Sequence, residues 1–224
     1  IYGKSDRARY LLKNYIVKDT VNFGSISTFK INDSEYAFLY LDILNLIDLI
    51  NNKINLKKIH SFFEIGGGFG ANIHLLLNNF KNIKKFLYLD VATNLFIGTE
   101  YLRTFFGNAV KDYLELKNKK ITFSNDDNLE ILCIAPWQLP HVDLQIDHFH
   151  NSQSFPEMDL EIIENYCKFI KKILNKNGSL TINTYRSDSS KIVKNDDLLK
   201  IFNLPFNHHE YKEISLENFN DLYY

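Results

Sequence analysis

The sequence predicts an α/β protein built on a doubly wound, mostly parallel sheet, with a helical segment ahead of it. Three observations carry this expectation. Short apolar runs alternate with stretches whose apolar residues recur at helical spacing, which is the pattern of βαβ units. A glycine cluster closes the first of these runs and opens a helix. Before that point the pattern is helical only.

The N-terminal segment covers residues 1–56. Ala8, Leu11, Leu12, Tyr15 and Ile16 fall at helical spacing. A polar, turn-like stretch follows around Gly24, Ser25, Ser27 and Thr28, and Asp33 or Ser34 is placed to cap a second helix. Its apolar face is Ala37, Tyr40, Leu41, Leu44 and Ile47. The segment is expected to act as a lid over the domain that follows, residues 57–224.

In that domain, residues 59–65 read as a buried strand and residues 86–91 as a second. Ile73, Leu76, Leu77 and Phe80 mark the helix between them, and Leu95, Leu102, Phe105, Phe106 and Ala109 mark the next. Residues 129–135 read as a third strand, stopped by Pro136, with 121–123 a weaker candidate. Residues 142–147 read as a fourth. The clearest helix carries Ile162, Ile163, Tyr166, Phe169, Ile170, Ile173 and Leu174, with Asn177-Gly178 as its C-terminal stop. Residues 179–185 read as a fifth strand. These elements together make a Rossmann-like domain.

Composition narrows the function. The formal net charge is −1, and the arginines are only Arg7, Arg9, Arg103 and Arg186. Neither charge nor arginine supply supports a nucleic-acid partner. No apolar stretch reaches membrane-spanning length, so no membrane insertion is expected. Cys133 and Cys167 sit in apolar runs without metal-ligand spacing, as buried thiols of a reducing compartment would; a cytoplasmic location is expected.

The turn Glu64-Ile65-Gly66-Gly67-Gly68-Phe69-Gly70 carries most of the functional signal. Gly66, Gly68 and Ala71 satisfy a dinucleotide fingerprint. With Gly70 they also satisfy the acidic-x-glycine-x-glycine-x-glycine signature of class I methyltransferases, which the turn resembles. Glu64 decides between the two, since a carboxylate repels a pyrophosphate. S-adenosylmethionine brings an ammonium and a sulfonium to the same place and no phosphate. Asp90 ends the second strand about 20 residues on, where an acid binds ribose hydroxyls in either case. The expected cofactor is S-adenosylmethionine, held by Glu64, Gly66, Gly67, Gly68, Gly70 and Asp90. A nicotinamide cofactor, or a nucleoside-binding module without activity, are the competing readings.

A second stretch, Asn151-Ser152-Gln153-Ser154-Phe155-Pro156-Glu157-Met158, joins the glycine turn and Tyr101-Leu102 in resembling a bacterial family of sugar O-methyltransferases. The resemblance spans roughly residues 59–185. It implies five parallel strands, a final antiparallel hairpin and a sugar or glycan-precursor hydroxyl as acceptor. The chain runs only a short way past the fifth helical region, so the last strand is expected to be incomplete. A methyltransferase for a small non-sugar metabolite is the alternative.

Ligands in such sheets sit beyond the carboxyl ends of the strands. His148, His150, Asn151, Ser154 and Glu157 are all expected just past strand four. Hydroxyl methylation needs a base, and histidine suits neutral pH. His150 is the first choice, with His148 and Glu157 as rivals; Glu157 also fits a plain helix-start acid. Asn151 and Ser154 are expected to touch substrate. Asp143, Asp147, His148 and His150 do not share one side of a strand, so no metal is expected. Trp137 lies either against adenine or in the core.

Overall fold

The computed structural model describes residues 5–17, 27–31, 34–186, 193–214 and 219–224. Helix α1 (Asp6–Asn14) is followed by the hairpin β1 (Thr28–Ile31) and β2 (Ser34–Ala37), then by helix α2 (Phe38–Ile54). The sheet domain runs β3 (Ser61–Ile65), α3 (Ala71–Asn79), β4 (Lys85–Leu89), α4 (Ala92–Phe106), β5 (Val110–Lys111) and β6 (Glu130–Ile134). It continues through β7 (Ile146–Ser152), α5 (Leu160–Ile173), β8 (Leu174–Tyr185), α6 (Asn195–Phe202), β9 (His208–Lys212) and β10 (Phe219–Tyr223).

The main sheet has eight strands in the order β5-β6-β4-β3-β7-β8-β10-β9. Strands β3 to β8 pair in parallel, and β10 runs antiparallel to both β8 and β9. Each face has its own core. Phe62, Phe86, Tyr88, Ile131 and Cys133 pack with residues of α1 to α4 on one face. Phe63, Ile65, Leu87, Phe149 and Ile182 pack with α5 and α6 on the other. Burial on both faces explains why β3 and β4 are buried along their whole length. Among the described residues, no helix is long and apolar enough to cross a membrane.

Several expectations change. The N-terminal segment is not wholly helical, because Thr28 and Ser34 open the strands of a hairpin. Ser34 therefore caps nothing; α2 starts at Phe38 after Ala37, without a side-chain cap. Asp33, Gly24 and Ser25 lie outside the described residues. Tyr40, Leu41, Leu44 and Ile47 form a buried face of α2 as expected, whereas Ala37, also buried, ends β2 and does not belong to the helix. Tyr40, Leu44 and Ile47 share a core with Phe62 and Phe86, so this segment packs on the sheet itself. Residues 121–123 contribute only an isolated bridge, Ile121 to Val142.

The fourth strand is displaced, running to Ser152 and not ending at Asp147. The clearest helix stops at Ile173, and Asn177-Gly178 lies in the next strand. Leu174 pairs with Ile146 and Ser179 with His148, which leaves residues 175–178 out of the regular ladder. The final hairpin forms in full, with five residue pairs between β9 and β10.

The lower end of the β3–β7 pair is fixed by Asp147. Its Oδ2 accepts the His60 and Ser61 backbone N–H groups, both at 2.9 Å, and its Oδ1 accepts Asn175 Nδ2 at 2.7 Å. Asp147→Ala strands those donors and is expected to cost about 2–3 kcal/mol in urea unfolding. A loss under about 0.5 kcal/mol would mean that water replaces the carboxylate freely.

Candidate active site

The site is built on the turn between β3 and α3. Gly66, Gly68 and Gly70 have φ of 75°, 58° and 89°, a region that side chains with a Cβ rarely adopt. A Cβ on Gly66 would sit 2.2 Å from Ser154 Oγ, whereas one on Gly68 would meet nothing within 4 Å. The turn is thus closed on the Ser154 side and open at Gly68, where its backbone can be approached. Helix α3 begins at Ala71 after Gly70, with no side-chain cap.

Asp90, at the end of β4, braces this turn. Its Oδ2 accepts the Gly68 N–H at 2.8 Å and its Oδ1 the Val91 N–H at 2.7 Å. Burial raises the Asp90 pKa, and these backbone donors oppose the rise. From the other side, the Tyr88 hydroxyl donates to the Gly68 carbonyl. Gly98 makes room for that contact, since a Cβ there would lie 2.5 Å from the Tyr88 hydroxyl.

Glu64 lies beneath the turn and is 1% exposed. Its Oε1 accepts Asn72 Nδ2 at 2.7 Å, while its Oε2 has no partner. Burial pushes its pKa up to about 8; the Asn72 bond pulls against this and the Asp90 charge adds to it. Near neutral pH the group is therefore mostly a neutral acid. An adjacent cation would ionise it and fill the open oxygen.

A cleft of about 370 Å³ opens at the carboxyl ends of β3, β4, β7 and β8. Gly66, Asp90, Asn94, Gln153, Glu157 and Tyr185 are among its lining residues. A more apolar hollow of about 590 Å³ adjoins it, walled by Phe69, Ile97 and Tyr101, and reaches Gly68 and Asn94.

The residues expected beyond strand four separate into two groups. Ser154 and Glu157 line the cleft. His148, His150 and Asn151 lie inside β7 and are fully buried, a correction that follows from the longer strand. His148 bonds Ser179 Oγ at 2.8 Å and Thr181 Oγ1 at 2.9 Å through its two ring nitrogens. His150 Nδ1 bonds the same threonine at 2.8 Å, and its Nε2 has no partner. Burial drives the His150 pKa down to about 4 and His148 well below its ordinary value, so both are neutral at physiological pH.

Asn151 is spent on the chain itself. It donates to the Ile65 carbonyl at 2.9 Å and to Ser154 Oγ at 2.6 Å, and accepts the Phe155 N–H at 3.2 Å. It fixes the loop over Gly66 and has no free direction toward a substrate. Asp143 pairs with Lys120. Among the described residues no group of three or more His, Cys, Asp or Glu side chains is placed to hold a metal ion. Trp137 is 63% exposed and meets Tyr113 edge-on, so it is not core.

Asn94, Gln153, Tyr166 and Tyr185 also line the cleft and were not anticipated. Asn94 lies one helical turn past Asp90, a spacing that signals a shared face. Tyr185 ends β8, where the strand-end rule points. Nothing in the sequence signals Gln153, which has a φ of 64°.

No known family model matches the chain, and no curated protein matches it by sequence. Solved structures do. An S-adenosylmethionine-dependent methyltransferase from Clostridium acetobutylicum matches with a TM-score of 0.52 at 10% identity, over 84% of this chain and 92% of its own. Magnesium protoporphyrin IX methyltransferase from Synechocystis, with bound S-adenosylmethionine, matches at 0.53 and 8%, over 83% and 77%. A Pyrococcus horikoshii protein matches at 0.53 and 13%, over 81% and 88%. The fold is that of the class I methyltransferases. In that fold the Glu64 turn, Asp90 and the cleft stand together at the carboxyl edge of the sheet.

Glu64 makes this site costly. The unfolded chain ionises the group near 4.5, and the folded protein does so only near 8. Stability is therefore lost as pH rises from about 4.5 to about 8. Glu64→Gln removes the loss. It is expected to raise the melting temperature at pH 8 by several degrees, on the order of a few kcal/mol, and to leave it nearly unchanged at pH 4.5. Equal melting temperatures for both proteins at pH 8 would show that Glu64 ionises normally.

Proposed function

We propose that this chain is an S-adenosylmethionine-dependent O-methyltransferase whose acceptor is a hydroxyl of a sugar or glycan precursor. The observation that carries the reading is Glu64, enclosed under the glycine turn with one oxygen unpartnered. An ammonium at this turn would ionise the buried acid and be neutralised by it, whereas a pyrophosphate would hold the acid protonated and gain no counter-charge from it. Gly68 allows a ligand close to the backbone, and Asp90 has carboxylate capacity left for ribose hydroxyls.

When bound, the cofactor supplies an electrophilic methyl carbon on a sulfonium. The chain's part is to orient the acceptor oxygen in line with that carbon and to take its proton. Among the candidate bases, Glu157 is the one whose residue lines the cleft, and we assign it that role ahead of His150 and His148. Ser152, Gln153 and Tyr185 give the cleft a polar and aromatic wall suited to a hydroxylated ring. One observation favours a second reading. The apolar hollow beside Gly68 would suit a non-sugar acceptor with an apolar ring.

S-adenosylhomocysteine should raise the melting temperature of the chain, and NAD should not. A response to NAD alone would overturn the cofactor assignment. Asp90→Ala should weaken S-adenosylhomocysteine binding by about 1.5–3 kcal/mol. Unchanged affinity would make Asp90 a brace for the turn only.

Glu157→Gln should keep cofactor affinity and lower methyl transfer by roughly 10²–10⁴. Normal turnover in that variant, with a collapse in His150→Asn, would move the base to the histidine.

A further inference from the structure

The α5 side of the cleft holds a phenol that packing does not use. Tyr166 lies on the buried face of α5 with Ile163, Cys167 and Ile170, and it is 7% exposed. Its ring stacks on Phe155, with centroids 6.5 Å apart and planes at 27°. Phe155 is fixed in turn by Asn151, which accepts its backbone N–H at 3.2 Å. The ring is thus held in place, and the residue borders the cleft.

The hydroxyl is the part that packing leaves unexplained. It makes no hydrogen bond to any described residue, and it is not among the fully buried polar atoms left unpaired. It therefore opens on the cleft. The rest of this face of α5 is apolar, and a phenylalanine would fill the same space with no polar group to desolvate.

Asp90 borders the same cleft. Burial raises the Tyr166 pKa, and the Asp90 charge raises it further, so the phenol lies within reach of that charge. Asp90 directs its own bonds elsewhere, to the Gly68 and Val91 N–H groups and, at 3.4 Å, to Asn94 Nδ2. A carboxylate offers about four lone-pair directions, so acceptor capacity remains. A group placed between the two residues meets an acceptor on one side and a phenol on the other. A hydroxyl satisfies both at once, donating to Asp90 and accepting from Tyr166. A carbonyl has no proton for Asp90, and a phosphate would meet its charge.

We propose that Tyr166 is a selectivity residue of the cofactor site: its hydroxyl donates to a ribose hydroxyl that itself donates to Asp90, and the pair discriminates against a deoxyribose. The inference rests on the methyltransferase reading and adds to Asp90 a second reader of the sugar, supplied by α5 from the opposite side of the cleft.

Calorimetric titration of the full chain with S-adenosylhomocysteine and with its 2′-deoxy and 3′-deoxy analogues tests it. Tyr166→Phe keeps the ring on Phe155 and removes only the hydroxyl. The variant should bind S-adenosylhomocysteine roughly threefold to tenfold more weakly than the parent, the effect of one neutral hydrogen bond. It should bind one of the two deoxy analogues as the parent does, because that analogue lacks the hydroxyl that Tyr166 meets. Comparing three ligands on one variant also guards against partial unfolding, which would weaken all of them alike. Parental affinity for S-adenosylhomocysteine in the variant, or the same loss for all three ligands, would overturn the proposal and leave the cofactor reading standing. A parent protein that binds none of the three overturns the cofactor reading, and the proposal with it.

Discussion

The enclosure of one carboxyl group under a glycine turn organises this molecule. Glu64 sits in register with Tyr88 on one neighbouring strand and His150 on the other. It is therefore shut in from both sides as well as from above. Holding an acid there needs a rigid roof. Asp90 and Tyr88 grip Gly68 from opposite directions, Gly98 lets α4 close on the turn, and Asn72 satisfies one of the two carboxylate oxygens. Each of these residues makes sense as support for a turn that must stay open to a ligand at Gly68. The burden falls on stability, since the acid is held neutral at a pH where water would ionise it.

The opposite wall follows from the length of β7. Because the strand continues to Ser152, Asn151 is drawn under the glycine turn, where it ties Ile65, Ser154 and Phe155 together. That anchoring places Gln153 and Glu157 in the cleft. It also brings Ser152 against Asn183, which links the cleft to the hairpin at the sheet edge. The two histidines are absorbed by the sheet, where hydroxyls of β8 meet three of their four ring nitrogens.

Legibility in the sequence tracks how local each determinant is. The glycine turn, Glu64 and Asp90 are readable because backbone conformation and strand-end position act within a few residues. The core face of α2 is readable for the same reason. Strand β7 is misread because His148, His150 and Asn151 are polar, and their partners at Ser179, Thr181 and Ile65 are far away in the chain. The hairpin β1–β2 has strands of only four residues each, without the long apolar alternation that marks a buried strand. The contacts of Tyr211 with Asn183 and Asn220, and of Asn183 with Ser152, depend on register across β7 to β10, which no local pattern encodes.

Glu64 can be questioned through protons. Calorimetric titration of S-adenosylhomocysteine at pH 7, repeated in buffers of different ionisation enthalpy, counts protons exchanged on binding. A neutral acid that ionises against the ligand's ammonium releases close to one proton, and Glu64→Gln abolishes that release. Binding with no buffer dependence in the parent protein, or the same release in the glutamine variant, would contradict the role given to Glu64.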